Sequence, residues 1–206
     1  LNKEGKLKEA KKLFLLSIEL IVVVSVAMAC GISAISKEFT PFFFGQGYDA
    51  CISLIIALSP VLVVKGLSEI ARMQYLIPNH KEKIFIESVF CGAGVNFVVN
   101  WFLITRMGAL GAVVGTLVAE LVSCVWQYTK MNKYISCLSA IFKSMIYVVF
   151  GLVMFFAVRI VSRWFNGGIV GLFFEILIGI VTYLAMCIVY WKITKSEIAS
   201  LIKLKR

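Results

Sequence analysis

Long apolar stretches alternate with short polar ones along the whole chain, and that alternation sets the first expectation. A hydrocarbon core of ~30 Å takes ~20 apolar residues of helix at 1.5 Å rise each. Six stretches reach that length, at approximately residues 13–35, 50–72, 84–105, 109–128, 142–161 and 169–191. The connectors SKEFTPFFFGQGYD, IPNHKEK, RMG, KMNKYIS and RWFNGG are short and carry charges or turn residues. Successive helices should therefore pack as antiparallel neighbours. The expected fold class is all-α, a polytopic membrane protein with six transmembrane helices.

Composition agrees with the pattern. Hydrophobic residues make up 61% of the 206 and charged residues 16%, at a mean hydropathy of +0.95. Soluble domains sit near ~45–50% apolar and ~25% charged. A soluble core of this size could not bury so much apolar side chain, and disordered chains are poor in it. The six Cys lie at irregular spacing, mostly inside apolar runs, which argues against a disulfide scaffold.

The net charge of +10 gains meaning from its distribution. If the N-terminal side is called inside, sixteen of the 21 Lys and Arg fall on inside segments. Lys37, Arg106, Arg163 and Arg159 fall on or near the outside, and Lys65 is left within a span. The positive-inside rule then places both termini in the cytoplasm, N-in/C-in, which an even helix count requires. No basic stripe builds along any one element, so nucleic acid is not an expected partner. The closing residues SEIASLIKLKR suit either a short interfacial helix on anionic phospholipid of the inner leaflet or a solvated tail. The opening residues LNKEGKLKEAKK lack a signal-peptide pattern, and the chain is expected to be a C-terminal fragment of a longer one.

Ionisable and amide groups inside spans are the candidate functional residues, because each is costly there without a purpose. In the second span Lys65, Glu69 and Arg72 are spaced by four and three, so Glu69 can neutralise both cations on one helix face. The alternative is that Lys65 meets an anionic substrate group. In the third span Gly92, Asn96 and Asn100 share a face suited to interhelical hydrogen bonding or to substrate contact. Glu120 in the fourth span follows a GxxxG stretch (Gly111, Gly115) and lacks a local cation, so it either titrates or pairs with another helix.

Arg159 and Glu175 lie eight residues on either side of Gly167, at equal depth, and are expected to pair across the last hairpin. Glu19, Glu87 and Gln127, near the inner ends of their spans, read as mostly solvated. Phe42, Phe43, Phe44, Tyr48, Trp101, Trp126, Trp164 and Trp191, near span ends, read as interfacial aromatic belts. His80 lies in a basic loop with no carboxylate partner. There is no nucleophile–base arrangement, phosphate loop or metal-ligand spacing, so the chain is expected not to be an enzyme and to need no cofactor or metal.

Several strings stand in a familiar order. PFFFGQGY at 41–48, LSP at 58–60 and QYLIP at 74–78 are followed by G-x-x-x-N-x-x-x-N-x-x-L-I at 92–104. GALGA at 108–112, Thr116 and the Ala119-Glu120 pair come next. In this the chain resembles bacterial polysaccharide repeat-unit flippases, of the multidrug/oligosaccharidyl-lipid/polysaccharide exporter superfamily. The likeness covers residues ~1–135, and residues 136–206 match only in hydropathy.

The resemblance implies roughly fourteen helices in two pseudo-symmetric lobes working by alternating access. Residues 1–135 would be the later part of the C-terminal lobe. Residues 136–206 would be a terminal helix pair with a cytoplasmic tail, and the first lobe of the same protein would be missing. The implied substrate is an undecaprenyl-diphosphate-linked oligosaccharide, carried across the bacterial cytoplasmic membrane and passed toward polysaccharide polymerase machinery. Lys65 stands where this family would lead one to expect an apolar residue. The alternatives are a cation-coupled multidrug exporter, a lipid II flippase, or a non-transport membrane protein of polysaccharide assembly.

Overall fold

A computed structural model describes residues 2–164 and 168–194, with side chains from Glu9 onward. The described residues fold as helices α1 (Asn2–Phe44), α2 (Ala50–Leu58), α3 (Val61–Ile70), α4 (Glu82–Met107), α5 (Ala109–Met131), α6 (Leu138–Ser144), α7 (Ile146–Val161) and α8 (Gly168–Thr194). A π-helical turn, Ala71–Leu76, continues α3, and a 3₁₀ turn, Ser162–Trp164, follows α7. Six helical segments are long and apolar enough to cross a membrane: Glu9–Phe44, Ala50–Leu76, Glu82–Met107, Ala109–Met131, Leu138–Trp164 and Gly168–Thr194. The six expected spans are all there. The closing SEIASLIKLKR segment, with its two readings, lies outside the described residues.

Helix α1 is the mast of the fold. At 43 residues it is about 65 Å long, roughly twice the hydrocarbon thickness. It packs against α2 and α3 on one side and against α6, α7 and α8 on the other. Ile18, Val22, Val26 and Ala34 are therefore fully or almost fully buried in it. The hairpin of α4 and α5 joins this body mainly through α5, which lies along α2 and α3. Tyrosine hydroxyls lock the layers: Tyr128 donates to the Leu67 carbonyl at 3.0 Å, and Tyr183 donates to the Val23 carbonyl at 2.8 Å.

Two boundaries differ from the expectation. The first helix does not end near residue 35 but runs on to Phe44, leaving only residues 45–49 as a loop. Pro41 removes a single helical donor and its ring favours helical φ, so it does not stop the helix. The stop comes from Gly45 and Gly47, at φ +88° and +92°. The second span is broken in the middle at Ser59 and Pro60. Pro60 has no N–H for the Ile56 carbonyl, and the Ser59 hydroxyl donates to that carbonyl at 3.0 Å instead. Ser59 also shares a 2.6 Å hydrogen bond with Ser33 of α1, so the break is tied to the mast.

Candidate functional site

The α4–α5 hairpin is drawn together by small residues. Gly108, at φ +57° and ψ −131°, makes the tight turn that side-chain-bearing residues resist. An ideal Cβ on Gly111 would lie 2.3 Å from the Leu103 carbonyl oxygen, and one on Gly92 would lie 3.0 Å from the Ala119 carbonyl. One on Gly115 would meet Asn100 Oδ1 at 2.0 Å. The helices therefore touch nearly backbone to backbone, as small residues permit in lipid. The GxxxG reading of Gly111 and Gly115 as a packing face agrees with this geometry. Further along, Ser123 donates to the Ser88 carbonyl at 3.0 Å, and Gln127 Nε2 donates to Ser88 Oγ at 2.9 Å.

Where this hairpin leans on α3 it leaves a cleft of about 950 Å³. The cleft brings together Lys65, Glu69 and Arg72 from the second span, Asn96 and Asn100 from α4, and Glu120 from α5. Phe97, Trp101 and Ile104 of α4 form its apolar side. All four residues expected to meet substrate thus line one space, although they come from three spans.

The charges pair differently from the expectation. Glu69 does not bridge Lys65 and Arg72. Arg72 takes it alone, donating from both Nε and Nη2 to Glu69 Oε2, while its guanidinium lies 5.2 Å from the centre of the Phe85 ring. Lys65 reaches across to α5, where Nζ and Glu120 Oε1 are 2.5 Å apart. The cause is the packing of α5 along α3, which sets Glu120 beside Lys65. Of the two readings open for Glu120, pairing with another helix is the one observed. The Lys65 side chain remains 54% exposed and that of Glu120 23%, so the pair faces the open cleft.

The amides also differ from the interhelical bonding expected of them. Asn100 Nδ2 donates to Asn96 Oδ1 at 2.8 Å within α4, because Asn100 is pressed against Gly115. Its Oδ1 is buried without a hydrogen-bond partner. Interhelical bonds come instead from Ser123 and Gln127, which sequence reasoning passed over. Gln127 is only 1% exposed, not solvated. A signal was present: Ser88, Gly92, Asn96 and Asn100 recur every fourth residue on α4, as do Gly111, Gly115, Ala119, Ser123 and Gln127 on α5. Glu19 is likewise half-buried and accepts a hydrogen bond from the Tyr147 hydroxyl.

The expected Arg159–Glu175 pair does not form. Arg159 Nη1 donates to Oε1 and Oε2 of Glu38, both at 3.1 Å, and to the Ala34 carbonyl at 3.3 Å. The extension of α1 is the reason: it makes Glu38 a helical residue facing α7 instead of a loop residue. Depth symmetry holds no information about which way each side chain points around its helix. Among the described residues no group of three or more His, Cys, Asp or Glu is placed to hold a metal ion.

Six helices long and apolar enough to cross a membrane define a multi-pass membrane protein, and its fold is that of a known transporter. The particular likeness is to the lipid II flippase MurJ, in its inward closed conformation, at a TM-score of 0.76 and 16% identity. The match covers 93% of this chain and 41% of MurJ, so the chain spans about two-fifths of the length of that flippase. Neither models of protein families nor the sequences of curated proteins give a match.

Proposed function

We propose that this chain is part of a flippase that turns undecaprenyl-diphosphate-linked oligosaccharide repeat units from the inner to the outer leaflet of a bacterial cytoplasmic membrane, supplying a capsule or lipopolysaccharide O-antigen. The observation that carries the reading is the cleft: a cation–carboxylate pair and two amides stand beside an apolar wall. The fold shared with a flippase of a lipid-linked substrate supports it. In this reading residues 1–135 belong to the later part of the C-terminal lobe and 136–206 form the terminal helix pair with its tail. The opposing lobe of the same protein faces the cleft. Both termini are cytoplasmic, where the Lys-rich segments meet anionic phospholipid, and polymerase machinery takes the product at the outer leaflet.

The chemistry follows from competition for Lys65. A diphosphate offers more acceptor oxygens than one carboxylate, and charge-assisted bonds to it are strong. Substrate therefore draws Lys65 from Glu120, while Asn96 Nδ2, which the Asn100–Asn96 bond does not use, donates to a sugar hydroxyl. The polyprenyl chain lies along the apolar side of Phe97 and Trp101. Losing this pair and forming it again as the cleft changes its access gives the cycle two states that differ in the partner of Lys65.

A second reading, a lipid II flippase, is favoured by the MurJ likeness and shares the diphosphate chemistry. The test reconstitutes the protein at its full natural length in liposomes. It follows fluorescent polyprenyl-diphosphate oligosaccharide, fluorescent lipid II and a fluorescent phospholipid. The first reading expects transfer of the repeat-unit lipid above the phospholipid, and the second expects lipid II alone to move. In either, Lys65→Met should slow transfer about 10- to 100-fold, the equivalent of one charge-assisted hydrogen bond at ~1.5–3 kcal/mol, and Lys65→Arg should retain most of it. Wild-type rates in Lys65→Met would refute the assignment of Lys65. Movement of neither glycolipid would refute both readings.

A further inference from the structure

Glu175 has no place in the cleft and, among the described residues, no ion pair. It sits on α8 against α1 and α7, 1% exposed, with Oε2 buried and without a hydrogen-bond partner. The space beside it, about 420 Å³, is lined almost wholly by apolar side chains such as Met28, Ile32, Met154 and Ile180. The charges that face it are Glu38 from α1 and Arg159 from α7. On its own helix, Tyr183 is committed to the Val23 carbonyl.

The charge count is what matters. Arg159 already holds both oxygens of Glu38. An ionised Glu175 would add a second negative charge to one cation, inside hydrocarbon, with no donor to its buried oxygen. Such a charge is strongly unfavourable, whereas a protonated carboxyl is a neutral group of modest polarity. The side chains of Glu38 and Arg159 are 15% and 31% exposed, against 1% for Glu175.

From this geometry we infer that Glu175 is a proton-binding site of the transporter, carrying its proton while Arg159 is held by Glu38 and releasing it when Arg159 turns to Glu175. The exchange balances. The Glu175 O–H bond breaks, the proton leaves by way of the exposed edge of the Glu38–Arg159 pair, and the new carboxylate takes the guanidinium. Glu38, the more exposed of the two acids, then accepts a proton in its turn. Partner exchange loosens α7 from α1 and tightens it to α8, so proton occupancy biases the packing of the last helix pair. The inference rests on the transmembrane placement of these helices and not on the identity of the substrate.

The experiment reads the proton directly. Infrared spectra of the purified full-length protein in bilayers are taken across a pH series in H₂O and D₂O. The wild type should show a C=O band of a buried carboxylic acid near neutral pH, and Glu175→Gln, which is nearly isosteric, should lack it. Glu38→Gln removes the rival acceptor, so Arg159 should pair with Glu175 and the band should vanish at a lower pH than in the wild type. A neutral-pH spectrum in which Glu175→Gln removes no acid band would overturn the proton site. An unmoved titration in Glu38→Gln would overturn the partner exchange. Neither result depends on transport, so each is separable from failure of the flippase reading.

Discussion

Replacing Gly111 by Ala tests how closely α4 and α5 approach. The added Cβ would lie 2.3 Å from the Leu103 carbonyl oxygen, 2.5 Å from its carbon and 2.8 Å from the Ile104 nitrogen. These are backbone atoms of a hydrogen-bonded helix and have no rotamer to change. Ordinary contact begins near 3.4 Å, so the helices must part by about 1 Å at this level. Overpacking of this kind costs about 1–3 kcal/mol, and parting also loosens the Gly92 and Gly115 contacts on the same face. Gly94 is the internal control, because an added Cβ there meets nothing within 4 Å. Its exchange for Ala keeps the gain in helix propensity of up to ~1 kcal/mol without the clash. Both exchanges share that gain, so the two variants should differ by the overpacking cost of about 1–3 kcal/mol, with Gly111→Ala the less stable. Unfolding in micelles of rising SDS fraction, followed by the fluorescence of Trp101 and Trp126 in the hairpin, measures the difference. If Gly111→Ala is as stable as Gly94→Ala, α4 and α5 are not packed backbone to backbone.

Two further outcomes are expected. Ser59→Ala strips the Ile56 carbonyl of its substitute donor at the Pro60 break and should destabilise the protein by about 1–2 kcal/mol, whereas Ser33→Ala, which leaves that bond in place, should cost less; the same SDS titration ranks them. In a background freed of native Cys, cysteines replacing Lys81 and Lys133 should react with a membrane-impermeant maleimide only after permeabilisation, and one replacing Gln46 should react from outside; outside labelling at Lys133 would reverse the orientation read from the charge bias.

What could be read from the sequence was what depends on one helix at a time. Span number follows from hydropathy, because every backbone group in lipid must find its partner within its own segment. The recurrence of small residues at Gly111 and Gly115 announced a close approach, and the stripe at Gly92, Asn96 and Asn100 announced the face that meets it. The break at Pro60 left no mark in hydropathy, since Leu58, Val61 and Leu62 around it are as apolar as the rest. The reach of α1 to Phe44 was hidden by the polar letters at Lys37 and Glu38, which look like a loop until the helix carries them against α7.

Charge partners were the least legible, and a count explains why. Local spacing proposed Glu69 for Lys65 and equal depth proposed Glu175 for Arg159, yet both cations bonded to a different helix. Rotation about a helix axis decides such pairs, and in helices apolar on most faces the pattern leaves rotation open. Parity was legible. Lys65, Arg72 and Arg159 end on Glu120, Glu69 and Glu38, one acid to each cation. Glu175 has no ion pair among the described residues, and it is the acid that the packing buries. A span that buries an unmatched carboxyl either gives it a proton or breaks its neighbours' pairing to supply a cation. Both alternatives act on the same three side chains, so the odd acid and the exchangeable Arg159 form a single element of the mechanism.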